Sequence, residues 1–114
     1  MAVNVTVFTP TSPALKVLRL DNAKHGEEFT LPAKHMVQSI VVLHSDPDLV
    51  GDTVGFGVAG VLSMPAEDVI SGELLQPDRY RWFAVDQECT IDNSDSPNAE
   101  FTAWVTLVDM SLVA

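Results

Sequence analysis

The sequence predicts an all-β domain, an antiparallel sandwich or jelly-roll-like barrel of about seven or eight strands with at most one short helix. Three observations carry this reading. Apolar residues recur with period two, or as short β-branched runs, along most of the chain. Pro, Gly, Asn and Asp interrupt these runs at short intervals. Only Pro65 to Ser71 carries the marks of a helix, with proline near its start, Glu67 and Asp68 in its first turn and Gly72 after its end.

Taken in order, Val3, Val5 and Val7 alternate with Asn4 and Thr6 as a half-buried strand, which Thr9-Pro10-Thr11-Ser12-Pro13 ends because proline supplies no amide donor. Residues Met1 to Pro13 form a candidate extended arm within a single domain spanning 1–114. Leu15 to Leu20 is a second strand, followed by turn chemistry at Asp21, Asn22 and Gly26. Glu28 to Leu31 is a third, closed by Pro32, and the β-branched run Met36 to Leu43 a fourth, closed by Ser45-Asp46-Pro47-Asp48. Val54 to Leu62 has one mostly large face and one mostly small face. Its glycines point to close packing of another layer. Asp78 to Ile91 holds further strand material, and Asp92 to Asn98 reads as a loop.

The last stretch, Glu100 to Val113, reads as one long strand. Phe101, Ala103, Val105 and Leu107 share a face, after which Val108, Met110 and Leu112 take over the apolar positions. Such a change of parity means a bulge, a bend or two different buried faces. At ~3.3 Å per residue the run would reach about 45 Å, more than a small domain covers on both sides. Its excess apolar surface is expected to meet other chains.

An apolar content of 46% in 114 residues is enough for one core. Sixteen acidic against six scattered basic residues give a net charge of −10, which excludes direct nucleic-acid binding and adhesion to an anionic membrane. The charge serves solubility, or attraction to a basic partner surface. Met1-Ala-Val-Asn-Val-Thr-Val-Phe lacks the basic start and apolar stretch of a secretory signal, and no apolar run approaches the ~20 residues of a membrane span. Cys89 is the only cysteine, so neither an internal disulfide nor a Cys-rich metal site is expected. Beside Glu88 in a strand-like run, it reads as a buried structural residue rather than a nucleophile.

The search for chemistry returns little. His35 and His44 stand at opposite ends of one predicted strand, roughly 30 Å apart, too far to share a metal inside one subunit, so the histidines read as turn and rim residues. The His-x-His metal pattern of cupins has no counterpart. Gly55-x-Gly57-x-x-Gly60 has the spacing of a nucleotide-binding loop, but no helix pattern follows it directly. Asp46, Asp48 and Asp52, and likewise Asp92, Asn93 and Asp95, are dense in oxygen ligands, and Asp92 and Asp95 are the calcium candidates. Neither segment matches an EF-hand loop, and both are also ordinary turn chemistry. Tyr80, Trp82 and Trp104 would suit a sugar platform, although alternating aromatics in strands more often belong to a core. No serine nucleophile context is present, no cofactor is expected, and the chain reads as a non-enzyme.

Two function classes therefore stand beside a small jelly-roll enzyme: an assembly subunit, and a ligand-binding β module for calcium or carbohydrate. The opening Met-Ala-Val-Asn-Val-Thr-Val-Phe-Thr-Pro, the acidic balance, the lone cysteine and the β-rich plan together resemble the small virion proteins of tailed bacteriophages, the capsid decoration or cement type above all. That resemblance implies a structural protein on the capsid surface, assembled in a host cytoplasm. It also implies self-association as a dimer or trimer and binding to a major capsid protein. The expected contact residues are Val3, Val5 and Val7 in the N-terminal arm and Val108, Met110 and Leu112 at the C-terminal end.

Overall fold

The computed structural model describes residues 3–9, 14–49, 53–58, 67–70, 74–75, 86–93 and 96–111. These hold nine strands: β1 (Asn4–Phe8), β2 (Leu15–Ala23), β3 (Glu28–Leu31), β4 (His35–His44), β5 (Thr53–Val58), β6 (Glu67–Ile70), β7 (Leu74–Leu75), β8 (Gln87–Asp92) and β9 (Phe101–Asp109). One 3₁₀ turn, Pro47–Leu49, follows β4.

All strand pairs are antiparallel and fall into two sheets, β1-β2-β9-β4-β7 and β3-β8-β5-β6. From β2 to β5, and again from β6 to β9, successive strands change sheet. This is the jelly-roll arrangement, with β1 added at the outer edge of the first sheet. The all-β expectation holds. Each sheet buries the face it turns to the other. Phe29 of β3, Phe56 of β5 and Phe101 of β9 stack edge to face across the interior, with centroids 6.0 and 6.4 Å apart. Leu20, Leu31, Ile40, Val42, Val54, Ile91, Ala103 and Leu107 fill the space around them without exposure to solvent.

Three sequence expectations are corrected. The segment read as a helix carries a strand, β6, paired with β5 from Thr53↔Ile70 to Phe56↔Glu67. Isolated helices so short are marginal in water, and the open edge of β5 offers the segment's inward-directed backbone groups a ladder of partners. The long terminal strand ends at Asp109, and Met110 and Ser111 form a turn, while Leu112 lies outside the described residues. β9 alternates regularly over its whole length, and the buried set Phe101, Ala103, Val105, Leu107 continues to Asp109 instead of switching to Val108. The change of parity instead occurs in β4, where the register with β9 slips between Val37 and Ser39. His35 and Val37 face inward before that bulge, and Ile40, Val42 and His44 after it. A second slip lies between Leu20 and Ala23 in β2, where Asn22 adopts φ 51°.

Val54 and Phe56 are buried as the large face of β5, and Gly55 is buried between them. Gly55 and Gly57 stand within a strand paired on both sides, not on a strand-to-helix turn, which removes the structural context of a phosphate loop. Gly60, Tyr80 and Trp82 lie outside the described residues.

Candidate interaction surface

Strand β1 positions the site. It lies on β2 in unbroken register, Asn4↔Asp21 through Phe8↔Val17. Its outward side is pinned there by polar contacts. The Thr6 hydroxyl donates to Asp21 Oδ2 (2.8 Å), Arg19 Nε donates to Asp21 Oδ1 (2.6 Å), and the Arg19 guanidinium lies 5.0 Å from the centroid of the Phe8 ring. Its start leans to the other sheet, where the Val3 amide donates to the Glu28 carbonyl (3.0 Å).

Two surfaces meet at β1. The first is the outward face of the five-stranded sheet. Residues opposite one another in register share a face, so its rows read Phe8–Val17–Thr106–Ser39, Thr6–Arg19–Trp104–Val41, Leu15–Val108–Met36 and Leu43–Thr102. Phe8 and Leu43 at its margins are 42% and 47% exposed, and the apolar residues between them are half-buried. In these rows the only ionic groups are Arg19 and the flanking Asp21, which pair with each other. The second surface is a groove of about 470 Å³ between β1 and β3, lined by Val3, Val5, Val7, Leu18, Phe29 and Pro32 and rimmed by Lys16, Glu28, Thr30, Asp86 and Glu88. Val5 and Val7 share the inward face with Leu20 and Leu18 but remain 39% and 57% exposed, because β1 overhangs the edge of the second sheet.

Of the expected contact residues, Val3 is buried, Val5 and Val7 line the groove, and Val108 lies on the outward face. Met110 belongs to a turn and donates its amide to Lys34 O (2.9 Å). The two expected patches therefore do not merge: Val5 and Val7 face one side of the first sheet, and Val108 the other. Sequence reasoning missed the rest of the outward face, Trp104 included. The signal was the run of half-apolar alternate positions in β2, β4 and β9.

Lys16, His35 and Asp109 gather at one end of the interior. His35 and His44 are buried at the two ends of β4, not on turns and rims, whereas His25 is exposed as expected. His44 packs on Phe101 at 5.8 Å. His35 Nδ1 donates to Ala33 O (2.7 Å), which turns Nε2 toward Asp109 Oδ2 at 3.8 Å, and Lys16 Nζ approaches the same oxygen at 4.0 Å. The Ser111 hydroxyl (2.6 Å) and amide (3.0 Å) both donate to Asp109 Oδ1. The hydroxyl bond above all, then the amide, His35 and Lys16, hold the Asp109 carboxyl below the usual carboxylate range, against an opposing effect of desolvation. Ser111 is thus committed to a carboxylate that stabilises the chain end, not to a histidine base. Burial pushes the Cys89 thiol up to about 12, which leaves it protonated and inert at neutral pH.

Of the calcium candidates, only Asp92 lies among the described residues. Asp92 is exposed beside His25 (3.6 Å), Asp95 lies outside the described residues, and Asn93 ties the loop through bonds to the carbonyls of Ser96 and Ala99 (2.9 and 3.4 Å). In the other acidic segment Asp46 Oδ1 accepts the Asp48 amide (2.9 Å), which is turn chemistry. Among the described residues no three His, Cys, Asp or Glu side chains come together as a metal site. Nor, among the described residues, is any helix long and apolar enough to cross a membrane.

No family model matches the chain, and no curated protein matches it. Among solved structures, the chain is similar to a protein of Ralstonia eutropha JMP134 provisionally described as a mannose-6-phosphate isomerase. The match has 13% identity and a TM-score of 0.41 over 93% of this chain and 82% of that one.

Proposed function

We propose that the chain is a non-enzymatic assembly subunit that docks through the outward face of its five-stranded sheet. The observation that carries this is the contrast between that face and the molecule. A chain with net charge −10 keeps one internally neutralised ion pair there, among Phe8, Val17, Leu43, Trp104 and Val108. Apolar surface left in one contiguous sheet face marks a contact site, and a central tryptophan is the commonest kind of anchor. Five strands spaced ~4.8 Å apart and up to ten residues long present a footprint on the order of 600 Å². That approaches the ~800 Å² which each partner contributes to a standard interface. Two copies meeting through this face would form a dimer with little charge repulsion at the contact.

In keeping with the resemblance to phage decoration proteins, the second partner in this reading is a major capsid protein, and many copies on one shell would add avidity. The jelly roll is common to capsid proteins, lectins and cupins, so the proposal rests on the face and not on the fold.

The test is native mass by light scattering over a dilution series, for the wild type and for Trp104→Lys. We expect a dimer or trimer for the wild type at micromolar concentration and a folded monomer for the variant. A wild type that is monomeric throughout, or a variant that associates equally well, overturns self-association through this face.

A further inference from the structure

We propose that the groove between β1 and β3 binds a cationic, extended segment of another polypeptide. The groove lies on the opposite side of the β1–β2 ribbon from the outward face, so this inference does not depend on the docking proposal above. Its floor is apolar and its inward valines are open, Val5 39% and Val7 57% exposed.

One wall is a strand edge. Ile91 exchanges backbone bonds with Gly26 and Glu27, so the antiparallel alternation sends the backbone groups of Glu28 and Thr30 away from β8 and into the groove. The Val3 amide already uses the first of these positions, at Glu28 O, and among the described residues no backbone bond continues that contact to Thr30. An extended segment laid along this edge would continue the pairing that Val3 begins, with alternate side chains pointing to Val5, Val7 and Leu18.

The rim fixes the charge of the occupant. Glu28, Asp86 and Glu88 stand around the groove, and among the described residues lining it the one cation, Lys16, is turned to Asp109. Asp86 already accepts the Ala33 amide (3.1 Å), which anchors it at the rim. Hydrogen bonding to Glu28 when protonated, then like-charge repulsion by Glu28 and desolvation, hold the Glu88 carboxyl above its usual range, against a smaller attraction from the chain's amino terminus. A lysine or arginine beside this pair would relieve that repulsion, whereas an acidic segment would add to it.

The probes are two fluorescein-labelled peptides, Lys-Val-Thr-Val-Lys and Glu-Val-Thr-Val-Glu, acetylated and amidated, titrated by fluorescence anisotropy at low salt. We expect saturable binding of the lysine peptide only. Its affinity should fall roughly three- to tenfold in the Glu28→Gln/Glu88→Gln variant, whose isosteric substitutions lie outside the buried core. Equal binding of both peptides, no binding of either, or an unchanged affinity in the double variant overturns the inference. Light scattering on the Trp104→Lys variant addresses the outward face separately, so loss of one reading leaves the other standing.

Discussion

At the scale of single residues, the decisive group is Asp109. It continues the buried side of β9 beyond Leu107 and meets Lys16, His35 and Ser111 at one end of the interior. Its depressed folded pKa contributes stability that is fully present above the ordinary carboxylate value of ~3.9 and is lost as pH falls through the lower folded value. Asp109→Asn should therefore melt lower than the wild type at pH 7, with the gap closing below about pH 4. A gap of equal size at pH 2.5 and pH 7 would assign the residue a steric role only. The sequence marked Asp109 as a polar interruption in an apolar run. It could not show the inward side, because that depends on where β9 pairs with β2 and β4.

At the scale of elements, most strands were legible because period-two alternation has a direct physical cause in the pleat. β2, β3 and β4 appear within a few residues of the expected bounds. The turns were legible in kind but not in conformation. Lys34, just before β4, sits at φ 59° and gives its carbonyl to Met110, an αL position that favours glycine. Lys34→Gly should raise stability by about 0.5–1 kcal/mol, read as an increased urea midpoint at constant m. A decrease would mean that the lysine side chain stabilises the turn by more than the backbone strain costs. The β4 bulge was not legible. Met36 to Leu43 is apolar on both sides of the slip, so the run carries no parity from which a displaced residue could be read.

At the scale of the whole molecule, the core joins the sheets through the Phe29–Phe56–Phe101 stack. Phe101→Ala should cost about 3–5 kcal/mol, since it opens a cavity where β9 packs against both β5 and His44. Leu43→Ala, on the outward face, should stay within about 0.5 kcal/mol. Equal costs in chemical denaturation would show that the outward face is covered within the monomer, and the docking proposal would lose its basis. The inward valines of β1 illustrate the other side of the same geometry. Alternation assigned Val3, Val5 and Val7 to one face, yet only Val3 is covered, because the second sheet ends at β3.

The sequence by itself determined the class of the fold, the strands with clear alternation and the inward set Phe101 to Leu107. Each of these follows from local periodicity. Tertiary structure alone decided the strand order, the strand nature of 67–70, the end of β9 at Asp109, the bulge in β4, and which apolar faces stay open. These depend on pairings between residues far apart in the chain. Whether a half-apolar face becomes core or contact surface is set by what the other sheet covers, and that is not written in any one strand.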